Sequence, residues 1–103
     1  MRVGAVSLVY NEEKLVKGCI RSYKPFVDRH IIAVGTKPYF GAPEPLDNSA
    51  KIASDEGAEV LMGQWKLDHQ QRNAALELFD DSYDWILISD VDMWFEHNVV
   101  RNL

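Results

Sequence analysis

Four apolar segments rich in β-branched residues recur along the chain, and polar or amphipathic segments separate them. The first, VGAVSLVY at residues 3–10, is nearly continuously apolar, which is typical of a strand covered on both faces. Three more follow: HIIAVG at 30–35, AEVLM at 58–62 and WILIS at 85–89. The pattern predicts four strands buried in one sheet.

The segment after the first strand has the periodicity of an amphipathic helix. Asn11 reads as its N-cap, the two glutamates that follow suit the positive end of the helix dipole, and Pro25 marks its end. The residues on its predicted apolar face are Leu15, Val16, Cys19, Ile20 and Tyr23. The first strand is therefore followed by a helix that packs against the sheet.

Two further helices are predicted between the later strands. Asp47 or Asn48 can cap a short second helix, and the pair Asp68 and Gln71 has the capping-box spacing for a third helix over about 69–80. Strands and helices thus alternate throughout. This order predicts an α/β fold, a Rossmann-like half-domain with a parallel sheet of about four strands, right-handed crossovers and helices on both faces.

Size and charge narrow the class of protein. The 103 residues suit one small domain or a piece of a larger one, and 47% hydrophobic residues suffice for a core. Sixteen acidic residues against eleven basic ones give a net charge of −5, without a basic cluster, so nucleic acid is not expected as a partner. We expect no transmembrane segment, no signal peptide and a cytoplasmic location, because no apolar run approaches the roughly 20 residues that cross a bilayer.

Three clusters are predicted at the edge where open parallel sheets bind ligands: residues 11–13 after the first strand, the proline-rich loop after the second strand, and Asp90 with Asp92 after the fourth. Asp90 and Asp92 leave the fourth strand two residues apart, so their side chains share one face if the strand continues. Such a carboxylate pair suits Mg²⁺ or Mn²⁺, which takes its remaining ligands from water and substrate phosphates. The alternative is a pair of solvated aspartates at a strand end.

Three motifs together resemble family 2 glycosyltransferases with the GT-A fold. These are VSLVYNEE at the first strand–helix turn, QWKLDHQQRNAALEL entering the third helix and WILISDVDMWF at the fourth strand, in the order and approximate spacing of that family. The resemblance covers residues 1–103 and corresponds to the N-terminal, nucleotide-binding half of the family's domain. It implies an enzyme that transfers a sugar from a nucleotide-diphosphate-sugar donor to an unknown acceptor with the help of Mn²⁺ or Mg²⁺.

The resemblance also implies residue roles. Asp92 is similar to the direct metal ligand, Asp90 to the aspartate that contacts the ribose or the metal through water, and Arg72 to a residue near the nucleotide. The segment similar to the one that embraces the nucleobase consists of Val9, Tyr10, Asn11 and Glu12. No catalytic residue is assigned, because the acceptor half with its catalytic base would begin where this chain stops.

The chain departs from the family pattern after the second strand. The family usually carries there an Asp that hydrogen-bonds the base, whereas this chain has VGTKPYFGAPEP, an irregular loop with three prolines. A second departure is Met93, which follows the aspartate pair in place of an acidic residue. The mode of base recognition is therefore not predicted by the resemblance.

Two other functions fit parts of the pattern. A Toprim-like metal site for phosphoryl transfer would combine Glu12 or Glu13 with Asp90 and Asp92. A non-catalytic nucleotide-binding module, which docks to a partner or is a truncated product, would explain the missing acceptor half. An exposed sheet edge at the C-terminal side would favour a homo-oligomer.

Several candidate residues have structural interpretations as well. Residues 11–13 are equally consistent with a helix cap, and Arg72 with an exposed helix former. His97 is an acceptable Mn²⁺ ligand whose geometry the sequence does not reveal. The aromatic residues for which core or interface packing competes with ligand stacking are Trp65, Trp94 and Phe95.

Overall fold

The computed structural model describes residues 1–91 and contains one sheet of four parallel strands. The strands are β1 (Val3–Val9), β2 (Arg29–Gly35), β3 (Glu59–Gly63) and β4 (Trp85–Asp90). The helices are α1 (Glu13–Tyr23), α2 (Ser49–Asp55) and α3 (Asp68–Leu76). Strands and helices alternate along the chain, which confirms the predicted α/β fold.

Both faces of the sheet are covered by apolar side chains, because successive residues of a strand point to opposite faces. On one face Val3, Ala5 and Val9 of β1 belong to a core that also contains Val16, Cys19, Ile20 and Tyr23 of α1 and Ala53 of α2. On the other face the core comprises Val6, Leu8, Ile31 and Ala33 of β1 and β2 with Ala75 of α3. Helices therefore lie on both faces, as predicted.

The strand order is β3-β2-β1-β4, so the chain reverses its direction across the sheet once. Strands β1, β2 and β3 lie side by side in chain order. Helix α3 then crosses the opposite face of the sheet, and β4 pairs with the other side of β1. The register sets Asp90 at the end of β4 beside Leu8 of β1. The carboxyl ends of β1 and β4 thus form the switch point at which open α/β sheets bind ligands.

The chain segment after α3 packs closely against the amino-terminal part of β1 at Gly4. A Cβ atom built on Gly4 would collide with Cε1 of the Phe79 ring. Only hydrogen at this position leaves room for the ring. Gly4 therefore permits this placement of the Phe79 ring, which its sequence context alone does not reveal.

The prediction that Asn11 caps α1 is wrong. The helix begins at Glu13, and Asn11 has a left-handed φ of 48° outside it. The first N–H groups of this helix are satisfied by side chains that precede or begin α2: Glu13 N donates to Asp47 Oδ2 over 3.1 Å, and Glu12 N donates to Ser49 Oγ over 3.1 Å. The cap is thus supplied through tertiary structure.

The predicted start and end of α3 also differ from the structure. The helix runs from Asp68 to Leu76, and Gln70 rather than Gln71 closes its N-terminus, since its Oε1 accepts from Leu67 N over 3.3 Å. Gln71 is free for another role because the neighbouring glutamine makes this contact. Within residues 1–91, none of the helices is long and apolar enough to cross a membrane.

Candidate functional site

A cleft with a volume of about 330 Å³ lies at the carboxyl ends of the strands, on the face that α3 covers. Its walls come from the end of β1, the turn after it, the end of β2, the loop that follows β2, helix α3 and the end of β4. The lining residues are Leu8, Val9, Tyr10, Glu12, Gly35, Lys37, Pro38, Tyr39, Phe40, Gln71 and Asp90. The cleft therefore lies at the switch point that the strand order defines.

Four of the residues predicted to bind the nucleotide line this cleft together: Val9, Tyr10, Glu12 and Asp90. Asn11 and Arg72 are not among its lining residues. Asp92, predicted as the direct metal ligand, lies outside the described residues. The fold thus brings together the ends of β1 and β4, although three helices and two strands separate them in the chain.

Gln71 connects α3 to the sheet and to the loop after β2. Only 2% of Gln71 is exposed, and its Nε2 donates to the Ala33 carbonyl of β2 over 2.7 Å and to the Val9 carbonyl of β1 over 3.5 Å. Its Oε1 accepts the hydroxyl hydrogen of Tyr39. One buried amide therefore holds the ends of two strands and one cleft aromatic in place.

The loop after β2 is anchored a second time, by the turn that follows β1. Tyr10 Oη accepts from Glu44 N over 3.1 Å, and Asn11 both donates to the Pro45 carbonyl over 3.1 Å and accepts from Asp47 N over 3.0 Å. The left-handed φ of Asn11, which asparagine tolerates better than most residues, turns its side chain toward this loop. Asn11 is therefore a loop anchor.

A reciprocal exchange of caps joins the starts of α1 and α2. The Glu13 carboxylate accepts from Asn48 N over 3.0 Å, while Asp47 accepts from Glu13 N. Burial raises the pKa of the Asp47 carboxyl, but the hydrogen bonds from Ser49 and Glu13 outweigh it and leave the pKa below its ordinary value. The carboxylate of Glu13 thus serves the fold, whereas Glu12 lines the cleft.

The cleft carries negative charge on the side of β4. Partial burial, together with the carboxylates of Asp68 and Asp90, raises the pKa of the Tyr39 hydroxyl. Glu12 and Asp90 are the two carboxylates that line the described cleft. Carboxylate oxygens suit a hard divalent cation, but residues 1–91 hold no group of three metal-ligating side chains.

A buried polar cluster lies on the other face of the sheet. Ser7 Oγ lies 2.8 Å from His30 Nε2 and 3.4 Å from Ser89 Oγ, and the Tyr23 hydroxyl donates to Ser89 over 2.6 Å. Burial lowers the pKa of His30 to about 4 and raises that of Tyr23 to about 12. Because Ser7 is fully buried, this serine–histidine contact stabilises the core and is not a nucleophile–base pair open to substrate.

Sequence reasoning placed the proline-rich loop after the second strand at the ligand-binding edge, but it did not single out Lys37, Tyr39 and Phe40 of that loop, or Gln71 of α3, as cleft residues. The available signal was the aromatic pair YF inside a loop rich in proline, where exposed aromatics have no core to join. Gln71 gave no such signal because its spacing from Asp68 suggested a helix cap.

The fold and the cleft define an α/β protein with a cleft at the switch point of an open parallel sheet, the place where such sheets bind ligands. No protein-family model matches the chain, and no curated protein is significantly similar to it. Its relation to family 2 glycosyltransferases therefore stays a prediction that rests on the three motifs.

Proposed function

We propose that this chain is the nucleotide-diphosphate-sugar-binding half of a metal-dependent glycosyltransferase. One observation carries the proposal: Val9, Tyr10, Glu12 and Asp90, assigned to the donor nucleotide from two separate motifs, line one cleft at the switch point of the sheet. Ligands bind at this place in open α/β sheets. The motifs and the topology thus support the same site.

The residues of the cleft have separate tasks in the proposed reaction. The backbone at Val9 and Tyr10 borders the nucleobase, and Asp90 accepts a hydrogen bond from the ribose or from water on the cation. Asp92 and Asp90 would hold Mn²⁺ or Mg²⁺, which neutralises the diphosphate as it leaves the sugar. None of residues 1–91 is assigned as the catalytic base or as a contact of the acceptor.

The single cysteine and the edge strands bear on the location and the association of the proposed enzyme. We place it in the cytoplasm, where its single cysteine, Cys19, stays a reduced and buried core residue. In the described sheet β3 and β4 are the edge strands, and unpaired strand edges favour association with another copy. We therefore propose a homo-oligomer as one way of protecting them.

The test is calorimetric titration of UDP and GDP into the protein, with and without Mn²⁺. Asp90→Asn and Asp92→Asn each remove one charge that we assign to the cation, and Asp81→Asn removes one exposed charge away from the cleft. We expect Mn²⁺-dependent binding in wild type and in Asp81→Asn, and at least about tenfold weaker binding in the two other variants. Equal affinity in all four proteins would contradict the role of the aspartates.

A second candidate is Mg²⁺-dependent phosphoryl transfer on nucleic acid, of the Toprim type. The observation in its favour is that Glu12 and Asp90 line the same cleft, as a shared cation would require. The net charge of −5 disfavours it. DNA binding that weakens steeply with salt and is lost in Glu12→Gln would favour this candidate over sugar transfer.

A non-catalytic nucleotide-binding module is the remaining alternative. Nucleotide binding by the protein without release of sugar from any donor would favour it. Turnover of a nucleotide-diphosphate sugar by that protein would exclude it.

A further inference from the structure

Two aromatic residues of the loop after β2, Tyr39 and Phe40, line the cleft. Tyr39 is 39% exposed and bonds to Gln71, whereas Phe40 is 88% exposed. When a flat apolar surface covers an exposed aromatic side chain at the wall of a cleft, apolar area leaves water and the free energy falls. Phe40 is therefore suited to contact a ligand more than to support the fold.

The position of Phe40 is set by contacts on both sides of it. Before it, Tyr39 is tied to the buried Gln71, and after it, Glu44 N bonds to Tyr10 and the Pro45 carbonyl bonds to Asn11. Prolines on both sides restrict the backbone further. The backbone is thus anchored on both sides of Phe40, which limits the conformational freedom that the loop loses when a ligand binds.

The chemistry beside Phe40 indicates the kind of ligand. Lys37, on the same loop, is the only cation among the residues that line the described cleft. An aromatic face and a cation a few residues apart match a planar ring joined to phosphates. The loop has no carboxylate between Thr36 and Pro43 that could select one base through hydrogen bonds.

We propose that Phe40 stacks on the nucleobase of the donor nucleotide while Lys37 pairs with its phosphates, an inference that rests on the proposed function. In this proposal the Phe40 ring binds the base, in place of the Asp that family 2 glycosyltransferases usually carry after the second strand. Stacking tolerates different bases because every base presents a π-face. The site consequently discriminates weakly between uracil and guanine.

The experiment compares UDP, GDP and inorganic pyrophosphate in calorimetric titrations and in competition. Phe40→Ala removes the ring, Phe40→Trp keeps an aromatic face, and Leu46→Ala is the matched control, an exposed apolar residue of the same loop outside the cleft. Thermal unfolding of each variant checks that the exposed substitutions leave the fold intact.

We expect wild type to bind UDP and GDP with affinities within about tenfold of each other. Phe40→Ala should weaken both by at least about fivefold and leave the affinity for pyrophosphate unchanged, while Phe40→Trp and Leu46→Ala keep wild-type values. Lys37→Met should weaken all three ligands, because every one of them carries the phosphates.

The outcomes separate this inference from the proposal on which it rests. If wild type binds UDP or GDP and Phe40→Ala binds them equally well, the stacking role is wrong and the proposed function stands. A preference for one base above about a hundredfold would likewise overturn stacking as the mode of recognition. If wild type binds neither nucleotide, both proposals fall.

Discussion

Replacing His30 should remove most of the acid sensitivity of this fold between pH 7 and pH 5. His30 is 7% exposed, and its Nε2 lies against Ser7 Oγ in the polar cluster beneath α1. Its other ring nitrogen, Nδ1, is buried and has no hydrogen-bond partner within residues 1–91. Protonation would therefore leave a buried charge without a compensating acceptor.

The size of the effect follows from the pKa of His30 in the folded and unfolded states. Burial lowers it from 6.5 to about 4, so below pH 6.5 the unfolded chain binds a proton that the folded protein excludes. The free energy of unfolding consequently falls as the pH falls. The loss is about 2 kcal/mol at pH 5 and approaches about 3 kcal/mol below pH 4.

The assay is urea denaturation of wild type and His30→Gln at pH 7 and pH 5. The carboxylates with lowered pKa values, Asp47, Glu56, Glu59 and Asp80, titrate mainly below this window and are common to both proteins. Wild type should lose about 2 kcal/mol more than His30→Gln across the two pH values, whatever their difference at pH 7.

An equal loss in both proteins would refute the reasoning. NMR titration of the His30 ring in wild type provides an independent measurement, and a midpoint near 6.5 in the folded protein would contradict its burial as the cause.

Three further predictions concern the close packing at Gly4 and the hydrogen bonds that build the cleft, and urea denaturation checks each. Gly4→Ala should cost about 1–3 kcal/mol because its Cβ meets the Phe79 ring, and adding Phe79→Leu should recover part of the loss; no change in Gly4→Ala would contradict the close packing. Asn11→Ala should be less stable than Asn11→Gly by about 1 kcal/mol, since both lose the loop contacts and only alanine is strained at a φ of 48°. Gln71→Met should cost about 1–3 kcal/mol by leaving the Ala33 carbonyl without its amide donor, and wild-type stability would disprove that role.

The strands were predicted well because their signal is local. A strand covered on both faces needs a continuous apolar run, and 3–10 and 85–89 agree with β1 and β4 to within one residue at each end.

The end of α3 was predicted less well. Leu78 N and Phe79 N bond to carbonyls three residues back, so the chain tightens into turns after Leu76, whereas helical periodicity continues to Asp80.

The candidate site was predicted only in part, because some of its contacts join residues that are far apart in the chain. Asp90 and Glu12 could be placed at one edge because the carboxyl ends of parallel strands meet there. The roles of Asn11 and Gln71 could not, because a cap was expected within each helix's own turn. The structure satisfies the start of α1 from the segment before α2, and the side chains of Asn11 and Gln71 instead hold the loop after β2.

By itself the sequence determined the alternation of strands and helices, the apolar faces and the polar ends of the strands, since each depends on side chains a few residues apart. Only the tertiary structure decided that β4 pairs with β1, because that depends on which face of the sheet α3 crosses. It also decided that Phe40 lines the cleft, since the loop donates hydrogen bonds to Gln71 and Tyr10 and accepts one from Asn11, across long separations in the chain.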